Sequence, residues 1–406
     1  MDKKKRKKKQ KWIKPRHTFF RNILYPFIGL LSKIKYHIKV KKHKDKRQYL
    51  IIANHQTPFD QFFVGMSFKR HIYFLTNDDL FSNGFVSWLI DYLVKPIPIK
   101  KGTTDVKAVL DCKRVAKEGG SIAIFPEGNR TYSGKTEEIK DTIAPFAKSL
   151  GLPLAIYHIT GGYGVLPRWG DKTRKGKMES YVSEVIEYDD FKDMPNDELY
   201  KLICDKLYIN EGKLDRSYYS KRNAEYLERA IYYCPECGLS EWESTGDIIK
   251  CKSCSLTVKY LPTKELVGVN REFPYKFVND WYDAQCKFVR GLDLSPYSDT
   301  PIFVDAVNLS EVIPCKKKIP IGKNVTLSTY NNRLEINLEN ETIVVPFSKI
   351  TSMGVLGRNK LNYYFDKRVF QIKGVSVRFN ALKHLNIYHH SINTQKGETE
   401  HGTLGL

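Results

Sequence analysis

The sequence predicts an α/β layer structure over residues 48–228, then a small module built around four cysteines, then a mainly β domain over residues 275–390. Three observations carry that prediction. In the first half, short apolar runs that read as buried strands alternate with segments of helical periodicity. Two Cys-x2-Cys pairs lie close together near the middle of the chain. From about residue 275, apolar residues recur at the two-residue period of half-buried strands.

Size and charge set the frame. The chain has 406 residues and a formal net charge of +22, enough length for two or three domains. Residues 1–47 hold 19 Lys and Arg against two Asp, a net of +17, which leaves only +5 for everything after them. The basic character therefore belongs to an N-terminal arm, suited to nucleic acid or to an anionic membrane surface. Residues 1–16 form its polybasic tail. Residues 17–47 read as a helical, membrane-interfacial segment, because Phe19, Phe20, Ile23, Leu24, Tyr25, Phe27, Ile28, Leu30 and Leu31 follow the lysines directly. The apolar run Phe19–Leu31 contains Arg21, Asn22 and Pro26 and is far short of the ~20 apolar residues that span a bilayer. Lysines after the run, with no small-residue cleavage site, argue against a signal peptide. Of the eight cysteines, four stand together and Cys112, Cys204, Cys286 and Cys315 are scattered, a usage that points to a reducing compartment and one metal site.

Taken in order, Tyr49–Ala53 is the first buried strand and His71–Leu75 the second, with Asn77, Asp78 and Asp79 as caps for the helix that follows. Phe81, Phe85, Trp88, Leu89 and Tyr92 recur at helical spacing, a pattern expected of a core face. Lys95–Lys100 reads as a short strand, and a helix over Thr104–Lys117 stops at Gly119-Gly120. Ser121–Phe125 is a strand, Glu137–Leu150 a helix and Leu152–Tyr157 another strand, and Gly161–Gly164 marks a loop. Residues 177–189 read as a strand, and 197–209 and 220–232 as helices. In the C-terminal half, strands are expected at Leu334–Leu338, Thr342–Val345, Leu361–Phe365 and Val369–Ile372. A helix should start near Asn380, ahead of a disordered tail over 391–406.

Two stretches carry chemistry. Asn54-His55-Gln56-Thr57-Pro58-Phe59-Asp60 follows the first strand directly, at the strand end where open α/β sheets place ligands. A turn there folds Asp60 back toward the His55 imidazole, and a carboxylate on one ring nitrogen leaves the other as a general base. Phe125-Pro126-Glu127-Gly128-Asn129-Arg130-Thr131 ends a second buried strand. Gly128 admits a close backbone approach, Arg130 offers a planar fork for phosphate, and Glu127 is placed to orient Arg130 or a hydroxyl.

A third constellation is Cys234, Cys237, Cys251 and Cys254, spaced C-x2-C, thirteen residues, C-x2-C. Four thiolates satisfy one tetrahedral Zn²⁺, so residues 229–262 read as a structural zinc ribbon with no open position for catalysis. The loop between the two pairs is net acidic, which disfavours a nucleic-acid surface.

Together the two strand-end stretches resemble the glycerolipid acyltransferases of the lysophosphatidic acid acyltransferase (PlsC-like) family. Asn54, His55 and Asp60 match its Asn-His-x4-Asp block. Phe125 to Arg130 match its Phe-Pro-Glu-Gly-Thr-Arg block, with Asn129 for Thr. Pro96–Lys100 and Leu152–Ala155 match its two remaining blocks, with Lys100 or Lys101 standing where the family has arginine. The resemblance covers about residues 18–215. It implies the family's αβ sheet layered with helices, preceded here by membrane-surface helices and followed by the ribbon and the β domain. The short β strands closed by a C-terminal helix resemble a pleckstrin-homology (PH) or GRAM-like module.

By that resemblance, a fatty acyl chain passes from acyl-CoA, acyl carrier protein or acyl-phosphate to the free hydroxyl of 1-acylglycerol 3-phosphate in phospholipid biosynthesis. His55 deprotonates that hydroxyl and Asp60 stabilises the imidazolium. Glu127, Gly128, Arg130 and Lys100 or Lys101 bind substrate, and backbone N–H groups serve the oxyanion. No organic cofactor is needed. The protein would sit on the cytoplasmic face of a membrane, peripheral or monotopic, with a phospholipid surface, a lysophospholipid acceptor and the acyl donor as partners and no nucleic acid among them. Acylation of glycerol 3-phosphate or another lysolipid is the nearest alternative. A non-catalytic membrane-lipid adaptor and a nucleic-acid binder are the alternatives from other classes.

Overall fold

The computed structural model of the chain describes residues 11–77, 80–81, 84–99, 105–313 and 317–397. Asp78, Asp79, Cys315 and most of the polybasic tail lie outside them.

The N-terminal half is organised by seven strands: β1 (Ile38–Val40), β2 (Leu50–Ala53), β3 (Ile72–Asn77), β4 (Ile97–Ile99), β5 (Ser121–Ile124), β6 (Leu154–Thr160) and β7 (Met178–Ile186). They form one sheet in the order β1-β7-β6-β2-β5-β3-β4. Strand β2 lies parallel between β5 and β6, with Ile52 beside Ile124, and β7 runs antiparallel to β6. The strand alternation divides the core. Leu50, Ile52, Ile122 and Ile156 face helices α4 (Val106–Lys117), α5 (Ile143–Leu150) and α8 (Asn196–Leu207). Ile51, Ala53, Ala123 and Tyr157 face helix α2 (Asp60–Ser67). A strand buried on both faces reads as a continuous apolar run, which is why Tyr49–Ala53 was visible in the sequence.

Helix α1 (Pro15–Tyr36) contains Pro26 and packs against α2 and against α3 (Phe85–Leu93). Its outer face is apolar yet bare, with Phe19, Ile23, Phe27, Leu30, Leu31 and Ile34 all exposed. Helix α3 corrects an expectation: its aromatic row is not core. Phe85, Trp88 and Tyr92 are exposed and stacked on one another at 5.6 Å, and Ser87 is the buried residue of that helix. Phe20 of α1 meets Tyr92 at 6.2 Å, so the two apolar faces adjoin. Among the described residues no helix is long and apolar enough to cross a membrane.

Three further expectations are corrected. The helix expected from Glu137 starts at Ile143, because Glu137 is committed elsewhere: its N–H donates to Glu127 and its carboxylate accepts from Thr131 and Tyr132. Residues 220–232 form no α-helix, only a 3-10 turn over Leu227–Arg229. The Ala224 N–H is bonded to the Gly246 carbonyl and the Tyr226 N–H to the Ser244 hydroxyl, which draws the backbone onto the ribbon and away from its own turn. Gly161–Gly164 is largely a one-turn helix, α6 (Gly162–Val165), and a Cβ on Gly162 would come within 2.7 Å of the Gln56 side chain.

The chain continues through a one-turn helix α7 (Tyr188–Phe191) and α8 into the cysteine module. There β8 (Tyr233–Cys234) and β9 (Gly238–Leu239) form a hairpin. Strands β10 (Trp242–Thr245), β11 (Ile248–Cys251), β12 (Thr257–Tyr260) and β13 (Leu266–Gly268) form a four-stranded antiparallel sheet. Helix α9 (Val278–Arg290) follows, inside the stretch expected to be β; its buried Val278, Trp281, Tyr282, Gln285 and Val289 carry the helical period that the aromatic-rich context hid.

Seven strands then make the last sheet: β14 (Phe303–Ile313), β15 (Lys317–Thr329), β16 (Arg333–Asn337), β17 (Thr342–Pro346), β18 (Ile350–Leu356), β19 (Lys360–Phe365) and β20 (Arg368–Gly374). Their order is β17-β16-β15-β14-β20-β19-β18, and helix α10 (Ala381–Lys396) packs on it. Asn380 caps α10 by accepting from the Leu382 and Lys383 N–H groups. The helix runs to Lys396, so residues 391–396 are ordered where a tail was expected. One apolar core joins ribbon, α9 and β domain, with Trp281 set edge-on to Trp242 at 4.8 Å.

Candidate active site

Because β2 and β5 are parallel neighbours, the two strand-end stretches emerge side by side although some seventy residues separate them. The Thr131 N–H donates to the His55 carbonyl at 3.0 Å, continuing the pairing past the strand ends.

Asp60 is wholly buried at the first turn of α2. Its Oδ2 accepts from the Gln56 N–H (2.6 Å) and the Thr57 N–H (2.9 Å) and lies 2.8 Å from His55 Nδ1. Its Oδ1 accepts from the Thr57 hydroxyl at 2.5 Å. The carboxylate therefore builds the turn that brings the imidazole to it. The His55 ring stacks on Phe125 at 4.4 Å, and its side chain keeps 20% exposure. Burial lowers the His55 pKa below its ordinary 6.5; Asp60 pulls it up, and Arg130 and Arg168 push it down. An imidazole with Nδ1 on a carboxylate and Nε2 unbonded to any described residue is a base at Nε2.

Glu127 does not orient Arg130. Its Oε1 accepts from the His55 N–H at 2.6 Å and its Oε2 from the Glu137 N–H at 2.9 Å, so it clamps the backbone of the His55 turn to the second stretch. Burial raises its pKa well above the usual carboxyl range, opposed by those two N–H donors. Gly128 adopts φ +66° with open space where a Cβ would stand, so it is the left-handed turn, more than a close approach, that asks for glycine.

Arg130 has a buried guanidinium nitrogen, Nη1, with no hydrogen-bond partner. Burial, with Arg168 and Arg358 nearby, lowers its pKa to about 9, so it remains a cation at neutral pH. A half-buried guanidinium with no hydrogen bond to any described residue, beside two more, is a place that asks for an anion. Lys100 and Lys101 lie outside the described residues.

Sequence reasoning missed several supporting groups. The Asn54 amide accepts from the Ile159 N–H at 2.7 Å and donates to its carbonyl at 2.9 Å, locking β2 to β6 just before His55. Gln56 accepts from the Tyr163 N–H, and Glu211 accepts from the Gly161 N–H. Arg168 is buried and donates to the Arg130 carbonyl (2.9 Å), Asn129 Oδ1 (3.3 Å) and the carbonyls of Gly357 (3.0 Å) and Val355 (3.2 Å). It ties the second stretch to the C-terminal domain, a contact no local pattern announces.

The four cysteines converge away from this site. Their sulfurs all lie within 4.8 Å of one another, and Cys234 Sγ is 3.7 Å from Cys254 Sγ. The edge of a tetrahedron with 2.3 Å metal–sulfur bonds is about 3.8 Å, so the donor set fits one metal ion.

Comparison with known proteins agrees with the geometry. Residues 33–159 match the family model described as Acyltransferase. The 1-acyl-sn-glycerol-3-phosphate acyltransferase of Bacillus subtilis is 24% identical over 208 residues, covering 49% of this chain and 99% of that enzyme. The enzyme of the same name from Pseudomonas aeruginosa is 26% identical over 148 residues, 34% of this chain and 55% of its own length. Among solved structures, PlsC, the 1-acyl-sn-glycerophosphate acyltransferase of Thermotoga maritima, aligns at 21% identity and a TM-score of 0.37 over 47% of this chain and 75% of that one. Residues 33–159, which hold both strand-end stretches, are thus similar to an acyltransferase domain.

The hydrogen bonding of Asp60 sets a stability prediction. Asp60→Ala strands the buried Gln56 and Thr57 N–H groups and should cost about 2–4 kcal/mol in urea unfolding, whereas His55→Ala should cost less than about 1 kcal/mol. Equal losses from the two would contradict the assignment of Asp60 as the turn's organiser.

Proposed function

We propose that the protein transfers a fatty acyl chain from an activated donor to the free hydroxyl of a 1-acylglycerol 3-phosphate, the reaction named in its relatives. The observation that carries this is the His55–Asp60 pair set beside the unpartnered Arg130 guanidinium across β2 and β5. His55 Nε2 takes the proton of the acceptor hydroxyl, and Asp60 stabilises the imidazolium through Nδ1. The oxygen forms its bond to the acyl carbonyl carbon, the carbon–sulfur bond of a thioester donor breaks, and the imidazolium returns its proton to the departing thiolate. Arg130 holds the acceptor phosphate, which makes the attack intramolecular in effect. Glu127, Gly128 and Asn54 position the two strand ends. No Ser or Cys stands in either stretch to carry a covalent acyl group.

The adjoining exposed apolar faces of α1 and α3, with Lys33 and Lys35 in the last turn of α1, suit attachment to a lipid surface, where acceptor and product both reside. In the cysteine module the thiolate set favours Zn²⁺, held by Cys234, Cys237, Cys251 and Cys254 as a structural site. The last seven strands, two antiparallel runs joined through β14 and β20 and covered by α10, support the PH- or GRAM-like reading of that domain.

Acyl transfer read by mass spectrometry tests the reaction. With acyl-CoA or acyl carrier protein as donor, 1-acylglycerol 3-phosphate should be acylated faster than glycerol 3-phosphate or lysophosphatidylcholine. His55→Ala should reduce turnover by about 10²–10⁴-fold with the fold intact. Undiminished turnover by that variant would refute the base, and preference for lysophosphatidylcholine, whose phosphate is a choline diester, would refute the Arg130 assignment. Cys234→Ser or Cys251→Ser should lower bound zinc from one ion per chain and lower the melting temperature; unchanged metal content would refute the site.

A further inference from the structure

A cavity of about 520 Å³ opens where the acyltransferase domain, the ribbon approach and the last sheet meet. Its charged lining is Asp171, Arg229, Lys323, Arg358, Lys360 and Lys373, five cations around one carboxylate. Asp171 is already committed, accepting from Arg229 at 2.7 Å and 3.2 Å and lying 3.0 Å from Arg358. Arg229 is fixed further by the Val377 and Trp169 carbonyls, so two guanidiniums are held in place around that carboxylate.

Lys360 and Lys373 stand opposite each other across β19 and β20, and Asn308 faces Lys373 on its other side. Lys323 and Lys373 make no ion pair among the described residues. The wall that carries Lys323 is shaped for the opening: the β14–β15 ladder shifts register on both sides of Leu309, and Asn324 takes φ +53° with its N–H on Asn308. Such irregularities re-aim side chains next to functional sites.

We propose that this cavity binds a phosphomonoester-bearing anion, at a site distinct from the Arg130 phosphate position. A phosphate between Lys323, Lys373 and Arg358 supplies the anion that the two lysines lack among the described residues and leaves room for the group it is attached to, since the volume exceeds that of one phosphate. The same chemistry is presented by a lipid headgroup and by a soluble phosphate ester. The cavity abuts the end of β18 and the turn after it, where the Val355 and Gly357 carbonyls hold Arg168, so its lining Arg358 lies one residue from the contact that reaches Arg130.

The test uses the full chain in two arms: calorimetric titration with glycerol 2-phosphate, a soluble phosphomonoester, and co-sedimentation with phosphatidylcholine vesicles containing phosphatidic acid. Lys323→Ala/Lys373→Ala changes two exposed strand lysines, and Lys373→Gln is the milder companion variant. Lys113→Ala/Lys117→Ala on α4 removes the same charge elsewhere. The cavity variants should weaken binding about tenfold or more relative to the α4 control. A loss in the glycerol 2-phosphate arm supports the site with a soluble ligand, and a loss confined to the phosphatidic acid arm supports it with a lipid headgroup. Losses no greater than the α4 control in both arms overturn the proposal. So does anion binding that Arg130→Gln abolishes and the cavity variants leave intact.

Discussion

A single buried carboxylate holds the candidate site together. Asp60 is wholly buried, and burying an ionised carboxylate is costly unless it is well hydrogen-bonded. It is bonded to the Gln56 and Thr57 N–H groups, the Thr57 hydroxyl and the His55 ring. The requirement to satisfy the charge dictates the turn, and the turn dictates where the imidazole sits. Structure and chemistry here are one constraint: the acceptor that stabilises the turn is the acceptor that fixes the tautomer.

Around that turn the sheet order does the assembling. With β2 between β5 and β6, Asn54 reaches β6 on one side while Glu127 and the Thr131 N–H reach the His55 backbone from β5 on the other. Glu127 spends its carboxylate on two N–H groups, which leaves the Arg130 Nη1 without a partner. Arg168 then carries the arrangement outward, because the same guanidinium bonds the Arg130 carbonyl and the turn after β18. The buried Arg168 side chain thus links the C-terminal domain to the strand end that carries Arg130.

What the sequence made legible was local. Tyr49–Ala53 and Ser121–Phe125 were readable because strands buried on both faces are uninterrupted apolar runs, and the His55–Asp60 pairing follows from a short turn. The cysteine spacing likewise announces its own convergence. Interactions closed over long separations were not readable. Glu127 looked like a partner for Arg130, three residues on, and instead bonds a backbone N–H in the other stretch. The stretch 220–232 has helical composition, yet its Ala224 and Tyr226 N–H groups go to Gly246 and Ser244 of the cysteine module. The aromatic period of Phe85, Trp88 and Tyr92 identifies a helix correctly and its burial wrongly, since periodicity marks an apolar face without saying what covers it. Helix α9 was hidden for a related reason: its aromatic residues suit strand and helix alike.

The protonation state of His55 is the quantity on which the mechanism turns. Nitrogen-15 NMR of the ring, assigned by difference from His55→Gln, reads both tautomer and titration. The account predicts a neutral ring at pH 7 with the proton on Nδ1, shared with Asp60, and protonation only as the pH falls below 6.5, because burial outweighs the carboxylate. A ring protonated on Nε2, or an imidazolium at pH 7, would contradict it.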